Sequence, residues 1–195
     1  KAVGKAMDYV ESEASQARIT QDGVTTIERT GNLVVAQFQH ETSRAQDPQL
    51  HTHSVVINAT QRDDGEWRAL DNQEFYRLKM TAGAIYRAEL ANEVQRLGYE
   101  IERTHADGRW EVAGFSREQI EHFSQRRQDI QNELTLRGKD DPLTAERVAL
   151  ETREAKQQVD RNELHKEWET RAQSVGLDLA QVTVQARQAS PSEGT

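Results

Sequence analysis

Three of the six histidines lie close together in the chain, at His40, His51 and His53. Neutral imidazole binds divalent transition metals well, and three such ligands leave coordination positions open for water or a substrate oxygen. A cation held by uncharged ligands keeps its full charge and polarises a phosphate or carbonyl oxygen. A histidine-x-histidine pair alone is a weak signal, because surface strands produce it by chance, but the third histidine upstream strengthens it.

The segments that carry these histidines alternate apolar and polar residues as β-strands do. The eight residues between them are too few for a parallel crossover, so the strands are expected to be antiparallel neighbours. If His40 lies opposite His51, then Val34 lies opposite Ile57 and the apolar side chains share one face with all three imidazoles. In that register the three rings are close enough to converge on one ion.

The remaining pattern predicts an α+β fold, in which an antiparallel sheet is flanked by helices and followed by a helical extension. Gly98 follows a long apolar stripe as a helix C-cap does, and Ser116 with Gln119 has the spacing of a capping box. Helices are predicted at 1–18, 72–97, 116–134, 143–158 and 160–175, strands at 32–40 and 49–61, and a β-hairpin at 99–114.

Net charge and composition limit the function. The chain has 33 acidic and 25 basic side chains, a formal charge of −8, which is the opposite balance from most nucleic-acid binders. Any contact with nucleic acid therefore requires a local basic surface. The absence of cysteine excludes disulfides and thiolate metal sites and fits a reducing compartment. There is no apolar run long enough to predict a membrane span.

One segment resembles a known family. "FQHETSRAQDPQLHTHSVVINATQRDDGEWRAL" (38–70) is similar to the histidine region of conjugative relaxases of the TrwC/TraI (MobF) type. The likeness continues through the 72–97 helix, "LGYEIE" and "FSREQIEHFSQRRQDI", and covers nearly all of the chain. The residue between the two close histidines is Thr52, which departs from the bulky apolar residue of the wider nuclease class but agrees with the conjugative branch.

The resemblance implies a fold and a metal site. It implies an HUH-type palm at 1–114, helical fingers at 115–176 that close over DNA, and a flexible linker at 177–195. It assigns the metal site to His40, His51 and His53. The implied ion is divalent, magnesium or manganese in the cell, with zinc or nickel also expected to bind in vitro because three imidazoles prefer them.

The resemblance also implies a reaction, the metal-dependent, strand-specific nicking of a plasmid transfer origin during conjugation. A tyrosine attacks a DNA phosphate and leaves a 5′-phosphotyrosyl link with a free 3′-hydroxyl. The chain has four tyrosines, and the segments that carry them match parts of the family that do not hold the nucleophile: Tyr9, Tyr76, Tyr86 and Tyr99. Neither the nucleophilic tyrosine nor its acidic partner is therefore recognised in this chain. We therefore expect this chain alone to be inactive and to expose apolar surface.

The expected partners follow from the same resemblance. They are single-stranded and hairpin DNA of a transfer origin, accessory conjugation proteins and an N-terminal segment as a separate chain. The expected location is the bacterial cytoplasm, without a membrane span. Members of the family typically continue into a helicase domain.

Eight basic residues are candidates for DNA contacts. Arg44 lies between the histidine strands, where it either faces a metal-bound phosphate or forms an ion pair with Glu41 or Asp47. Arg62 and Arg68 flank a turn that is either a ribbon entering a groove or a solvated hairpin. Further candidates lie on helices whose basic face either lines a channel or is solvated: Arg77, Lys79, Arg117, Arg126 and Arg127.

Three other functions remain open. The chain is alternatively a single-stranded DNA-binding or assembly module in which the metal only orders the fold. It is alternatively a scaffold without a metal. A related rolling-circle replication initiator is a further alternative, against which the long conjugative-type segment at 38–70 argues.

Overall fold

The structure is a computed structural model that describes residues 1–138, 141–152 and 159–189. The chain forms two compact units. The first contains Lys1–Phe38, Thr52–Ala113 and a C-terminal segment that starts at Ala186, and the second contains Gln39–His51 and Gly114–Gln185. The tip of the histidine hairpin belongs to the second, helical unit.

Two helices of the first unit pack through small side chains. Helix α1 spans Ala2–Ala14 and helix α2 spans Gln73–Arg96. Ala14 is fully buried, and Ala91 of α2 is buried as well, so that the two backbones approach closely. Trp110 adds a further tie, because its indole N–H donates to the Arg87 carbonyl of α2 at 3.0 Å.

The prediction of a first helix extending to residue 18 is wrong, because a strand begins at Gln16. Ser15 has an extended backbone with φ −74° and ψ 105°, and its carbonyl accepts from Thr30 N at 2.9 Å. Strand β1 (Gln16–Gln21) pairs antiparallel with β2 (Val24–Arg29). These strands are polar enough that no clear alternation marks them in the sequence.

The histidine strands form a hairpin. Strand β3 spans Val35–Thr42 and β4 spans Pro48–Val56, one to five residues away from the predicted bounds. Ile57 N donates to Val34 O at 2.9 Å, so that these two residues are opposed as the predicted register requires. The single strand predicted at 49–61 is interrupted after Val56 and resumes as a separate short strand.

The other strands are short. Strands β5 (Thr60–Gln61) and β6 (Trp67–Arg68) pair antiparallel, as do β7 (Ile101–Arg103) and β8 (Trp110–Val112) in the predicted hairpin. In the described part of the chain the strands form four two-stranded sheets, where sequence analysis predicts one sheet. An isolated bridge joins Ala17 to Leu70.

The first unit exposes an apolar sheet face, as predicted. The side chains at the open end of the β3–β4 hairpin are 40% to 54% exposed: Val34, Phe38, Val55 and Ile57. Tyr76 on α2 is 69% exposed. The core of this unit is correspondingly small.

The second unit is helical apart from the hairpin tip. Its helices are α3 (Arg117–His122), α4 (Gln125–Arg137), α5 (Pro142–Glu151), α6 (Arg161–Ser174) and the start of α7 (Leu179–Ala189). The capping box is confirmed, since Gln119 N donates to Ser116 Oγ at 3.2 Å and Ser116 N donates to Gln119 Oε1 at 2.9 Å. The buried apolar side chains are Leu134, Val148, Leu164, Ala172 and Leu177.

Three helical predictions differ from the structure. The helix predicted after Ser116 is two helices, because the backbone leaves helical geometry at Phe123 and Ser124. Residues 179–189, predicted as a flexible linker, form α7, whose apolar residues recur at helical spacing. The described part of the helix predicted at 143–158 ends at Glu151. Residues 153–158 of that prediction, and residues 190–195 of the linker, lie outside the described ranges.

Within residues 1–138, 141–152 and 159–189, no helix is long and apolar enough to cross a bilayer.

Candidate metal and nucleic-acid site

A short loop joins the two histidine strands. Ser43 N donates to Asp47 O at 2.9 Å, and Gln46 N donates to Ser43 O at 3.2 Å. Gln46 has a positive φ of 61°, the left-handed conformation that follows a type I turn in three-residue hairpin loops. Because the loop is this short, the strand ends that carry His40 and His51 are held next to each other.

His40 and His51 are in direct contact. Their ring centroids are 5.5 Å apart and the ring planes differ by 22°. Two imidazoles on one ion have centroids roughly 5 Å apart, since each metal–nitrogen bond is about 2.0–2.1 Å. His51 Nδ1 lies 2.9 Å from Gln49 O; as the donor in that contact it leaves the lone pair on Nε2, the arrangement typical of metal-binding histidines. The pair therefore fits a divalent cation.

The third predicted ligand lies on the same strand but in the other unit. His53 is an exposed residue of β4, and the unit boundary falls between His51 and Thr52. Residues 1–138, 141–152 and 159–189 contain no cluster of three histidine or carboxylate side chains already arranged around a common point. The structure thus provides a histidine pair, and the three-ligand site stays a prediction.

The other histidines have structural surroundings. His105 Nδ1 lies 2.9 Å from Thr104 Oγ1. The imidazole of His122 contacts Phe123 edge to face, and that of His165 stacks on Trp168 at 5.1 Å. These contacts are with neighbouring protein side chains, so the three histidines are interpreted as structural residues.

A basic cleft adjoins the hairpin tip within the second unit. Its volume is about 750 Å³, and it is lined by the loop at 43–49 and by residues of α4. Arg44 and Arg127 line it and are exposed, whereas Arg126 donates to the Ala149 and Thr152 carbonyls at the end of α5. The carboxylates Asp47 and Asp141 also line the cleft, beside several apolar side chains: Pro48, Phe123, Ile130, Leu134 and Ala145. Arginines beside apolar surface suit a phosphate with its base.

Glu41 and Asp47, the two carboxylates near Arg44 in the sequence, each pair with an arginine of α6. Glu41 forms an ion pair with Arg161, whose Nε lies 2.9 Å from Glu41 Oε2. Asp47 is buried and binds Arg171 at 2.8 Å. Neither partner was identified from the sequence, because 120 and 124 residues separate the members of these pairs.

The candidate cations of the first unit are surrounded by carboxylates. Arg62 contacts Glu28, Asp64 and Glu66. The hydrogen bonds that Arg62 donates to Glu28, followed by the charges of these carboxylates, raise the pKa of Arg62 against the effect of burial. Arg68 pairs with Glu66. Arg77 pairs with Glu74 at 2.8 Å, and Lys79 on the same helix is exposed. Their assignment to DNA stays a prediction, and for the arginines the local charge disfavours it.

Comparison with known proteins gives one consistent family. The model of the TrwC relaxase family matches residues 1–175. The multifunctional conjugation protein TraI of Escherichia coli strain K12 is 39% identical over an alignment 189 residues long, which covers 92% of this chain and 10% of that protein. A second TraI from Escherichia coli has the same identity and coverage. The chain thus spans about a tenth of the length of these relatives.

Solved structures agree with the sequence comparison. The conjugative relaxase TrwC in a metal-free complex with OriT DNA is 43% identical and superposes with a TM-score of 0.85, over 91% of this chain and 62% of that chain. A copper-bound complex of TrwC with OriT DNA has a TM-score of 0.84 at the same identity and covers 91% of this chain and 61% of that chain. Sequence and fold agree over most of the chain, which belongs to the TrwC relaxase family.

Proposed function

We propose that this chain is part of a relaxase that nicks one strand of DNA at a transfer origin during conjugation. The observation that carries the proposal is the contact of His40 with His51, 5.5 Å between ring centroids, beside a cleft lined by Arg44 and Arg127. A metal-binding pair next to exposed guanidinium groups is suited to a phosphodiester. Relatives of the same family have been solved with OriT DNA.

The metal ligands proposed are His40, His51 and His53. A divalent ion there would offset the charge that builds on a phosphate oxygen during displacement. Complexes of TrwC with OriT DNA have been solved in a copper-bound form and in a metal-bound form, and magnesium or manganese is proposed as the ion in the cell. Gln49 O accepts a hydrogen bond from His51 Nδ1, so that the proton of the neutral ring is on Nδ1 and Nε2 is the atom proposed to bind the ion. Because the ligands are neutral, they leave the positive charge of the ion undiminished.

The chemical step proposed is a transesterification. A tyrosine oxygen attacks the phosphorus, the bond from phosphorus to the 3′ oxygen breaks, and the tyrosine proton is replaced by the new bond while the 3′ oxygen takes up a proton. None of the tyrosines of this chain is proposed as the nucleophile: Tyr9, Tyr76, Tyr86 and Tyr99. The 195 residues alone are therefore proposed to bind metal and DNA without nicking, in the bacterial cytoplasm and with accessory conjugation proteins.

The substrate phosphate is proposed to lie near the hairpin tip. Arg44 and Arg127 are proposed to contact neighbouring phosphates of the same DNA. Both side chains are exposed and line one cleft. Exposed guanidinium groups bind phosphates without reading sequence, whereas apolar surface such as Phe123 accepts a base. Single-stranded DNA is the ligand that this combination favours, and TrwC has been solved with a 27-mer DNA that comprises the recognition hairpin and the cleavage site.

Calorimetric titration with Mn²⁺ and Zn²⁺ tests the metal site. Wild type is expected to bind one ion, and His51→Ala is expected to abolish binding. His105→Ala is the matched control, because His105 is an exposed histidine bonded to Thr104 in another hairpin. Binding that survives in His51→Ala would refute the assignment.

A nicking assay then separates the relaxase from a module with a structural metal. The hairpin location of the histidines favours that alternative, since a metal there would also cross-link β3 to β4. A chain extended upstream to include the tyrosine should cleave single-stranded origin DNA and become covalently attached to its 5′ end. Metal binding by the extended chain without cleavage would support the structural alternative.

A further inference from the structure

The tip of the histidine hairpin is gripped by one face of α6. Arg161 pairs with Glu41, Trp168 Nε1 donates to Gln46 O at 2.8 Å, and Arg171 pairs with Asp47. Positions 161, 168 and 171 lie seven and three residues apart, so that they share one side of a helix. Leu164 on the same side is buried. The tip is therefore attached to α6 by three separate contacts.

Asp47 is the most deeply buried of these points. Its side chain is 3% exposed; Oδ1 accepts from Arg171 and Oδ2 accepts from Gln125 N, each at 2.8 Å. Its own N–H donates to Ser43 Oγ at 3.1 Å. The carboxylate thus joins the hairpin loop to α6 and to the first residue of α4.

Arg171 is equally well defined. Its side chain is 14% exposed, its NH2 group also donates to the His122 carbonyl at 2.8 Å, and its guanidinium carbon lies 4.7 Å from the centre of the Phe123 ring. A buried ion pair adds little net stability compared with an apolar replacement, because both charges lose their hydration. What such a pair provides is one defined geometry, since any displacement leaves a buried charge without its partner.

We propose that Asp47 is a positioning residue for the metal site, and that it acts through Arg171 and Gln125. The inference rests on the proposed function of His40 and His51. Asp47 lies four residues before His51, and its carbonyl accepts from Ser43 N, three residues after His40. The loop between is too short to absorb a displacement, so the anchored carboxylate sets where both imidazoles lie.

This role differs from that of a ligand. Asp47 directs both carboxylate oxygens at protein donors in the second unit, toward Arg171 and Gln125, so its effect on a metal ion passes through the backbone of the hairpin. Groups that orient metal-binding histidines typically change metal affinity by one to two orders of magnitude when they are lost. The helices of the second unit thereby determine the quality of the histidine pair.

Asp47→Asn in the full chain tests the inference, because it keeps the size of the side chain and removes the charge. We expect Mn²⁺ and Zn²⁺ affinity to fall about tenfold, the visible absorption of bound Co²⁺ to change, and the circular dichroism of the helices to be retained. The single variant Arg171→Lys keeps a positive charge opposite Asp47 and is expected to retain most of the wild-type metal affinity. Arg137→Gln is the matched control, since Arg137 pairs with Glu133 and Glu151 within the same unit.

The outcomes separate this inference from the metal site itself. If wild type binds metal and Asp47→Asn has unchanged affinity and an unchanged Co²⁺ spectrum, the inference is overturned and the metal site stands. If wild type binds no metal, the proposed metal site fails. The NMR resonances of the ring C–H groups of His40 and His51 then decide whether Asp47 positions the two imidazoles. Shifts in Asp47→Asn that are absent from Arg137→Gln support positioning, and unchanged resonances overturn it. Should Asp47→Asn not fold, the same measurements on Arg171→Gln decide.

Discussion

Trp168 donates its indole N–H to the main-chain carbonyl of Gln46, 122 residues earlier in the chain, at 2.8 Å. Gln46 has a φ of 61°, which costs a residue with a side chain about 1–2 kcal/mol. The surroundings must maintain such a conformation, and this hydrogen bond joins the unusual residue of the loop to α6. Within the second unit, the hairpin tip is therefore attached to α6 at the residue where the loop is most constrained.

Trp168→Phe is expected to lower the free energy of unfolding by about 1 kcal/mol, the net value of one hydrogen bond. The substitution keeps an aromatic ring beside His165 but removes the N–H that Gln46 O accepts. Urea denaturation measures the change. Trp67→Phe is the control, because Trp67 is 52% exposed, and a change as large as that of Trp168→Phe would contradict the explanation.

Metal binding is expected to stabilise the folded chain. An ion that binds only the folded state at a concentration about 100 times its dissociation constant adds about 2.7 kcal/mol. The thermal midpoint should therefore rise with Mn²⁺ or Zn²⁺ and return to its original value on addition of a chelator. His51→Ala should lose the increase and His105→Ala should keep it; an equal increase in both variants would indicate binding elsewhere.

Asp71 is expected to make stability depend on pH in the acid range. The backbone N–H of Gln73, followed by the side chain of Arg18, lowers the pKa of this buried carboxyl, against the effect of burial. The folded state therefore binds its proton less readily than the unfolded state, so this contribution is complete above the unfolded pKa of about 3.9. It is lost as the pH falls through the lower folded pKa.

Asp71→Asn tests that dependence. The variant should be less stable than wild type by about 1–3 kcal/mol at neutral pH, the range for hydrogen bonds to a charged group. Because the variant has no carboxyl at this position, the difference should shrink as the pH falls below 4. Urea denaturation at several pH values measures it, and a difference that stays constant into the acid range would exclude the carboxylate as its source.

The basic cleft is expected to bind single-stranded DNA through Arg44 and Arg127. Replacing one of them by Gln should weaken binding of an origin oligonucleotide and reduce the slope of log affinity against log salt by about 0.7. Fluorescence anisotropy at several salt concentrations measures both quantities. Arg62→Gln is the comparison, since Arg62 is surrounded by Glu28, Asp64 and Glu66. If Arg62→Gln reduces the slope and the cleft variants do not, the cleft is the wrong surface.

Local signals predicted some elements well and others poorly. The long apolar stripe before Gly98, the Ser116 capping box and the Asp107-Gly108 hairpin turn each depend on residues close in sequence, and the structure has a helix or hairpin at each. The strand at Gln16 was missed because its pairing with β2, rather than its own alternation, decides its conformation. Helix α7 was missed because a polar, small-residue end resembles a linker.

The sequence by itself determined the family, the order of the main helices and strands, and the register that brings His40 to His51. Those features follow from side-chain alternation, loop length and motif, which are properties of neighbouring residues. Only the tertiary structure decided which charges are compensated. Arg171 lies 124 residues from Asp47 and Arg161 lies 120 residues from Glu41; an ion pair depends on distance in space, and no local pattern encodes which distant helix face will meet a given carboxylate.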